Sequence, residues 1–392
     1  MDKHAKRSSL LHYPVLIVFT LFFVGLFALD MITPDRAYSE MENTTLSQRP
    51  ALTQLSAKGL NSYFTAYTKY VKDQVFGRDQ WISLQSMVET TLLQKEQNGG
   101  ILLGKEHMMF PRTFGLLSSE ERTLPKNTSA VESLCQRYPG KVNVLLAPAA
   151  SDIYPENVPA NAPLLDENTY LDPLSAAVQA AGGRFVDVRG TLTDHKGEYL
   201  YYRTDHHWTS LAARYAFETL SAQLDLQPVR SYTVYPVSDS FEGTLAAKTG
   251  SHAALDTIEI YVPDTDVQYA VTYADTQTTI CSLYDRAKLA EKNQYEVFFG
   301  GNHARVDIQT TADTGRTLLL LKDSYANCFV QFLTPYYDRI LMIDPRYFYD
   351  DLGALLRRER VTDALILYNY NTFVQDHALS VVLQSALFDE GE

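Results

Sequence analysis

Two stretches far apart in the chain carry residue types that could do chemistry together: Tyr201-Tyr202-Arg203-Thr204-Asp205-His206-His207-Trp208-Thr209 and Leu321-Lys322-Asp323-Ser324-Tyr325-Ala326-Asn327. A carboxylate, an imidazole and a hydroxyl make a nucleophilic acyl-transfer site, recognised by geometry and role rather than by chain order. Asp205, His207 and Ser324 are the candidates. In an extended segment residues i and i+2 share a face while i+1 points away. Asp205 is therefore grouped with His207, and His206, with Arg203 and Tyr202 beside it, is assigned to support or substrate contact. His207 would take the Ser324 proton as the hydroxyl attacks an ester carbonyl, Asp205 would hold the imidazole tautomer, and the acyl-serine would pass to water or a second alcohol. The Ser324 backbone N–H is the first oxyanion donor expected and Asn327 the second; Asn302 and Asn369 are weaker candidates that also fit ordinary turns.

A serine at a strand end is, taken alone, most simply an N-cap; the Asp-His partner segment is what raises it. Asp205, His206 and His207 are also metal-ligand types. They are so close in sequence that convergence on one ion would need other ligands, and no H-x-x-x-H or HExxH accompanies them. The expectation is a site with no metal and no cofactor. Trp208 reads as a packing anchor and Lys322 as a solvated charge.

The elements that must position these residues follow from apolar patterning. Val142–Ala147 is an apolar run of strand length, and Arg184–Val188, Thr317–Leu321, Arg339–Ile343 and Ala364–Tyr368 read as further strands. Helical patterns fall at 171–181, 210–224, 325–333 and 352–358, with Thr209 or Ser210 capping the second. Continuous apolar strands alternating with helices predict an α/β domain with a parallel sheet. Ser324 then stands at a strand's carboxyl end, where open α/β sheets bind ligands, and the Asp-His segment is expected at a second strand-to-helix junction of the same sheet. Between about 228 and 307 the pattern turns to alternating, Tyr-rich segments, predicting an antiparallel insertion that joins the two halves of the site.

Of 392 residues, 45% are hydrophobic and 21% charged, enough for one large domain and an accessory region. The net charge of -13 argues against nucleic acid, whose phosphates need a basic face. Three cysteines, Cys135, Cys281 and Cys328, close no disulfide framework and contain no CxxC; they are expected to be structural thiols. Tyr13 to Leu29 is an uncharged apolar run at the short end of the roughly 17 to 25 residues that cross a bilayer. Lys3, Lys6 and Arg7 before it put the amino end in the cytoplasm. A cleavable signal peptide is the competing reading, but no A-x-A-like site follows the run. Residues 1–33 are thus read as tail and membrane anchor, 34–97 as a linker and helical stalk or cap, and 98–392 as the α/β domain.

With those residues set out, Thr204-Asp-His-His-Trp-Thr209 resembles the motif that names the DHHW family of bacterial extracytoplasmic proteins. Asp73-Gln-Val-Phe-Gly-Arg-Asp79, Phe241-Glu-Gly-Thr-Leu245, Phe299-Gly-Gly-Asn-His303, Lys322-Asp-Ser-Tyr-Ala-Asn327 and Ile343-Asp-Pro-Arg-Tyr-Phe348 extend the match. That family is similar to the alginate acetylation proteins, whose SGNH-hydrolase-like domain carries Asp-x-His-Trp before the serine. The pattern falls on Asp205, His207, Trp208 and Ser324. The resemblance implies an SGNH-hydrolase-like parallel sheet flanked by helices. It also implies acetyl transfer to or from a cell-envelope polysaccharide, with a membrane-bound O-acyltransferase as partner. Lys322 replaces the glycine of the usual Gly-Asp-Ser, and the order Asp, His, Ser departs from ordinary SGNH hydrolases. Two other readings stay open: a non-catalytic glycan-binding or scaffold protein of an envelope complex, and a lipid or small-ester hydrolase.

Overall fold

The computed structural model describes residues 13–39, 41, 44–54, 59–111, 115–224, 226 and 231–386. Lys3, Lys6 and Arg7, and the expected start of the insertion near 228, lie outside them. The chain divides into two compact units, Met1–Leu93 and Gln94–Glu392.

In the first unit α1 (Pro14–Ile32) is apolar apart from Thr20 and Asp30 and has no buried residue. Its 19 residues are long and apolar enough to cross a membrane, by length and composition. Two amphipathic helices, α2 (Leu60–Gln74) and α3 (Arg78–Met87), follow. Gly77 separates them at φ 66°, a left-handed conformation that costs glycine nothing because it has no Cβ.

The second unit is built on a sheet whose helices occupy both faces. After a small three-stranded sheet of Gln97–Asn98, Ile101–Leu103 and Met109–Pro111, its strands, in chain order, are β1 (Val142–Ala147), β2 (Arg184–Phe185), β3 (Tyr232–Phe241), β4 (Asp256–Pro263), β5 (Tyr269–Tyr273), β6 (Thr278–Ile280), β7 (Arg305–Thr310), β8 (Thr317–Lys322), β9 (Arg339–Ile343) and β10 (Asp363–Asn369). Eight of them make one mixed sheet in the order β6-β5-β7-β9-β8-β10-β1-β2. From β9 to β2 neighbours run parallel; β7, β5 and β6 extend the sheet antiparallel from β9. The insertion is therefore divided: β3 and β4 form a separate ribbon, and the remaining strands enlarge the main sheet.

Among its helices are α4 (Glu120–Arg137), α5 (Asn168–Ala180), α6 (Ser210–Gln223), α7 (Thr244–Thr249), α8 (Leu352–Glu359), α9 (Tyr370–Gln375) and α10 (His377–Ser385), with shorter ones at Ala150–Ile153 and Arg189–Asp194. Strand β8 shows why its interior, Leu318–Leu321, is uniformly apolar. Leu318 and Leu320 enter one core with Phe217 of α6, whereas Leu319 and Leu321 enter the opposite core with Val131 and Leu134 of α4. Period-2 alternation thus serves two buried faces, and no position is left for a polar residue.

Three expectations need correction. The run Arg184–Val188 pairs only over Arg184–Phe185. The helix expected at 325–333 is two short 3-10 turns, Ser324–Ala326 and Val330–Phe332, fully packed so that tertiary burial and not helix propensity sets the backbone. The Asp-His segment is not a strand of the sheet; it is a loop closed by an isolated antiparallel bridge between Tyr201 and Trp208.

Candidate active site

Ser324 follows directly from the carboxyl end of β8. Asp323 shapes the exit: its Oδ1 accepts from the Tyr325 N–H at 2.9 Å and its Oδ2 from the Asn369 N–H at 2.9 Å, joining the ends of β8 and β10. The Asn327 N–H closes the turn onto the Ser324 carbonyl at 3.1 Å. Tyr295 also donates its hydroxyl to that carbonyl, at 3.0 Å.

The Asp-His loop reaches the same place by different means. Asp205 and His207 meet through an Asx turn and not through a pleat, since Asp205 Oδ1 accepts the His207 backbone N–H at 3.0 Å. The same oxygen lies 2.5 Å from His207 Nδ1, and His207 Nε2 lies 2.7 Å from Ser324 Oγ. A carboxylate only accepts, so the Nδ1 proton points to Asp205 and the Nε2 lone pair is left for the serine hydroxyl. The second oxygen of Asp205 accepts from the Thr244 N–H at 2.8 Å and the Thr244 hydroxyl at 2.9 Å. Burial acts to raise the Asp205 carboxyl, but the charges of His206 and His207 and these hydrogen bonds outweigh it and hold it well below the usual carboxylate range.

Several residues that set this geometry carried no functional assignment in the sequence reading. Tyr295 stacks on the His207 ring, with centroids 3.9 Å apart and planes 13° from parallel. Buried Asp256 accepts from the Arg203 N–H at 2.9 Å and from the N–H and hydroxyl of Thr204 at 2.8 and 2.5 Å, fixing the loop just before Asp205. At Gly243 a Cβ would stand 2.2 Å from Asp205 Cβ, so only glycine lets α7 approach and present Thr244. The Phe-Glu-Gly-Thr-Leu motif was the available signal for Gly243 and Thr244; nothing local marks Tyr295 or Asp256.

The other expected residues divide clearly. Trp208 is fully buried and donates from Nε1 to the Tyr325 carbonyl at 2.9 Å, and the Tyr325 hydroxyl in turn bonds the His206 carbonyl. The loop and the serine turn are thereby clamped on both sides. His206 stands apart, its side chain 39% exposed, with Nδ1 2.8 Å from the Thr244 hydroxyl. That hydroxyl gives its one proton to Asp205, so His206 Nδ1 is the donor and its Nε2 carries the lone pair. Partial desolvation and the neighbouring His207 lower the His206 pKa. Arg203 lies over the Tyr199 ring at 5.2 Å. Tyr202 is in the core against Phe241 and Tyr295, away from any surface a substrate reaches. Asn369 spends its amide within the sheet edge, donating to the Ala147 carbonyl at 3.1 Å.

Lys322 is the clearest correction, because this supposedly solvated charge is 1% exposed. Its Nζ donates to Asn327 Oδ1 at 2.9 Å and Asn302 Oδ1 at 3.0 Å. Burial lowers its pKa, opposed by the charge of Asp344. Ligand atoms of Asp205, His206 and His207 do converge, lying within 4.8 Å of one another, which their adjacency had argued against. Both Asp205 oxygens and both Nδ1 atoms are committed to the hydrogen bonds above.

The chain belongs to the DHHW family, whose model, described as DHHW protein, matches residues 142–343. It is related to proteins described as probable alginate O-acetylases, and its mixed sheet with helices on both faces is SGNH-hydrolase-like. A probable alginate O-acetylase AlgJ from Pseudomonas syringae pv. tomato is 23% identical over 193 residues, 48% of each chain. The probable alginate O-acetylase AlgJ of Pseudomonas fluorescens is 25% identical over 236 residues, 57% of this chain and 58% of that one. The chain thus spans about half the length of the curated relatives it matches. Among solved structures, a DHHW family protein from Eubacterium siraeum has a TM-score of 0.60 at 22% identity, covering 75% of this chain and 98% of that one. Bacillus cereus PatB1 with a sulfonyl adduct has a TM-score of 0.55 at 14% identity, covering 71% and 96%. These two likenesses are likenesses of fold.

Proposed function

We propose that the chain is an extracytoplasmic, serine-dependent enzyme that moves acetyl groups to or from a cell-envelope polysaccharide, held at the membrane by α1. The observation that carries this reading is the unbroken hydrogen-bonded line from Asp205 through His207 to Ser324, 2.5 Å and then 2.7 Å. Ser324 Oγ attacks an acetyl ester while His207 Nε2 takes its proton; the tetrahedral intermediate collapses and the leaving alcohol receives that proton. Water or a sugar hydroxyl then attacks the acyl-serine and gives its proton to His207, which passes it to Ser324 Oγ as the acyl–oxygen bond breaks. Asp205 stays ionised throughout and stabilises the imidazolium. The Ser324 backbone N–H is the first oxyanion donor, supplying about 2.7–4 kcal/mol; the Asn327 amide, expected as the second, instead turns its oxygen to Lys322 and its NH2 to Asn302.

The relatives described as probable alginate O-acetylases support polysaccharide acetylation as the reaction class. A membrane-bound O-acyltransferase supplying the acetyl group belongs to the same proposal. Helix α1 rises about 28 Å at 1.5 Å per residue, close to the ~30 Å hydrocarbon core of a bilayer. Residues 1–33 would be tail and anchor, 34–97 stalk, and 98–392 the catalytic domain, outside the cytoplasm by the positive-inside rule.

The test is turnover of p-nitrophenyl acetate, with glycan oligosaccharides as acceptors, by the wild type, Ser324→Ala and His207→Ala. Each substitution is expected to lower kcat by about 10⁴-fold or more. Unchanged rates in both variants would remove the triad, and glycan binding without turnover would favour the scaffold reading.

A further inference from the structure

Lys322 is a buried cation that the chemistry above does not use, and three separate motifs converge on it. Its ammonium contacts Asn327 of its own Lys-Asp-Ser-Tyr-Ala-Asn segment at 2.9 Å and Asn302 of Phe-Gly-Gly-Asn-His at 3.0 Å. Asp344, from Ile-Asp-Pro-Arg-Tyr-Phe, lies farther away at 3.6 Å. An ion pair with Asp344 does not explain the lysine. Both Asp344 oxygens are already engaged by the Arg346 guanidinium, at 2.8 and 2.6 Å, so this carboxylate would be satisfied without Lys322. The close partners of the ammonium are two neutral amides, a poor return for taking a charge out of water. A methionine of similar length would remove that cost.

What the ammonium does achieve is orientation. It has only donors, so the amide atoms that face it must be oxygens, and both Asn side chains are locked with their NH2 groups turned away. The Asn327 NH2 then donates to Asn302 Oδ1 at 3.3 Å, closing a three-membered ring of side chains. Residues 322 and 327 flank the turn that carries Ser324, so the Lys322–Asn327 bond ties the turn's two ends together. Asn302 belongs to the segment just after Tyr295, whose ring stacks on His207 and whose hydroxyl holds the Ser324 carbonyl.

We propose that Lys322 is a positioning residue that holds the Ser324 turn at its working distance from His207 by clamping Asn327 and Asn302. The inference rests on Ser324 being the nucleophile. A misplacement of about 1 Å at a reacting atom can cost about 100-fold in rate, whereas a purely structural lysine would reveal itself in stability. Lys322→Met, in the full chain, is therefore expected to keep its thermal transition and its KM for p-nitrophenyl acetate within twofold, while kcat falls about 10- to 100-fold. Lys322→Met combined with Asn327→Ala should be no slower than Asn327→Ala alone, because the two act through one clamp. A kcat within twofold of wild type, or losses that multiply in the double variant, would overturn the assignment. Asn302→Ala, at an exposed position, is the second variant should the first yield too little folded protein; part of kcat should be lost with KM kept, and an unchanged kcat overturns the assignment equally. Ser324→Ala measured beside them separates the two levels. If it retains turnover, nucleophile and clamp both fall; if it is inactive while Lys322→Met is fully active, only the clamp falls.

Discussion

Asp205 carries two burdens at the residue scale, aligning His207 and remaining charged while buried. Its depressed pKa means that its stabilising contribution is present above the ordinary carboxylate value and is lost as pH falls through the lower folded value. Asp205→Asn should lower kcat by about 10⁴-fold at neutral pH, as expected when the imidazole loses its tautomer partner. Melting curves should show the variant less stable than wild type at pH 7, with the gap narrowing as the solution is acidified below pH ~4. Glu167 behaves in the opposite sense. Burial first, and the charge of Asp152 second, push its pKa well above the ordinary value. The native state then keeps a proton that the unfolded chain releases, so stability falls as pH rises from ~4.3 towards the folded value. Glu167→Gln should raise Tm at pH 7.5, by about 2–4 °C per kcal/mol relieved, and converge on wild type near pH 4. A variant that melts earlier at pH 7.5 would show that the carboxyl is needed by Ala149 and Asn371, whose N–H groups it accepts at 3.2 and 3.4 Å.

At the scale of elements, the site is an assembly of three backbone pieces that do not share a strand: the turn after β8, the bridged loop before α6, and the amino end of α7. The first two are clamped by Trp208 and Tyr325; the third depends on Gly243. Gly243→Ala would drive a methyl group to 2.2 Å from Asp205 Cβ and 2.5 Å from its Oδ2. The expected result is a loss of about 1–3 kcal/mol of stability from overpacking, together with a fall in kcat as Thr244 retreats from the carboxylate. Denaturant unfolding and steady-state kinetics on the same preparation would measure both; wild-type kcat would mean that α7 can shift without moving Asp205. The motif around Gly243 was visible in sequence as a pattern. Its purpose was not, because the distance that excludes a side chain exists only once α7 and the loop have packed.

For the whole molecule, the two compact units predict separable duties. Deleting residues 1–33 should move the protein from the membrane pellet to the soluble fraction while kcat/KM for a small acetyl ester stays within about twofold, since α1 contributes no residue to the site. A pelleted or inactive truncation would contradict this division. The sequence by itself determined the α/β class, because the interiors of β8, β9 and β10 (Leu318–Leu321, Ile340–Ile343 and Ala364–Leu367) must be apolar to serve two buried faces. It also brought Asp205 and His207 together, two residues apart and able to meet through purely local backbone geometry. Tertiary structure alone decided the rest. It closed the 117-residue gap between His207 and Ser324, laid Tyr295 on the imidazole and enclosed the Lys322 ammonium. Tyr295 and Asn302 come from the stretch between β6 and β7 and meet the Ser324 turn only after the chain has folded, and burial of that kind is a property of distant chain segments that no local spacing encodes.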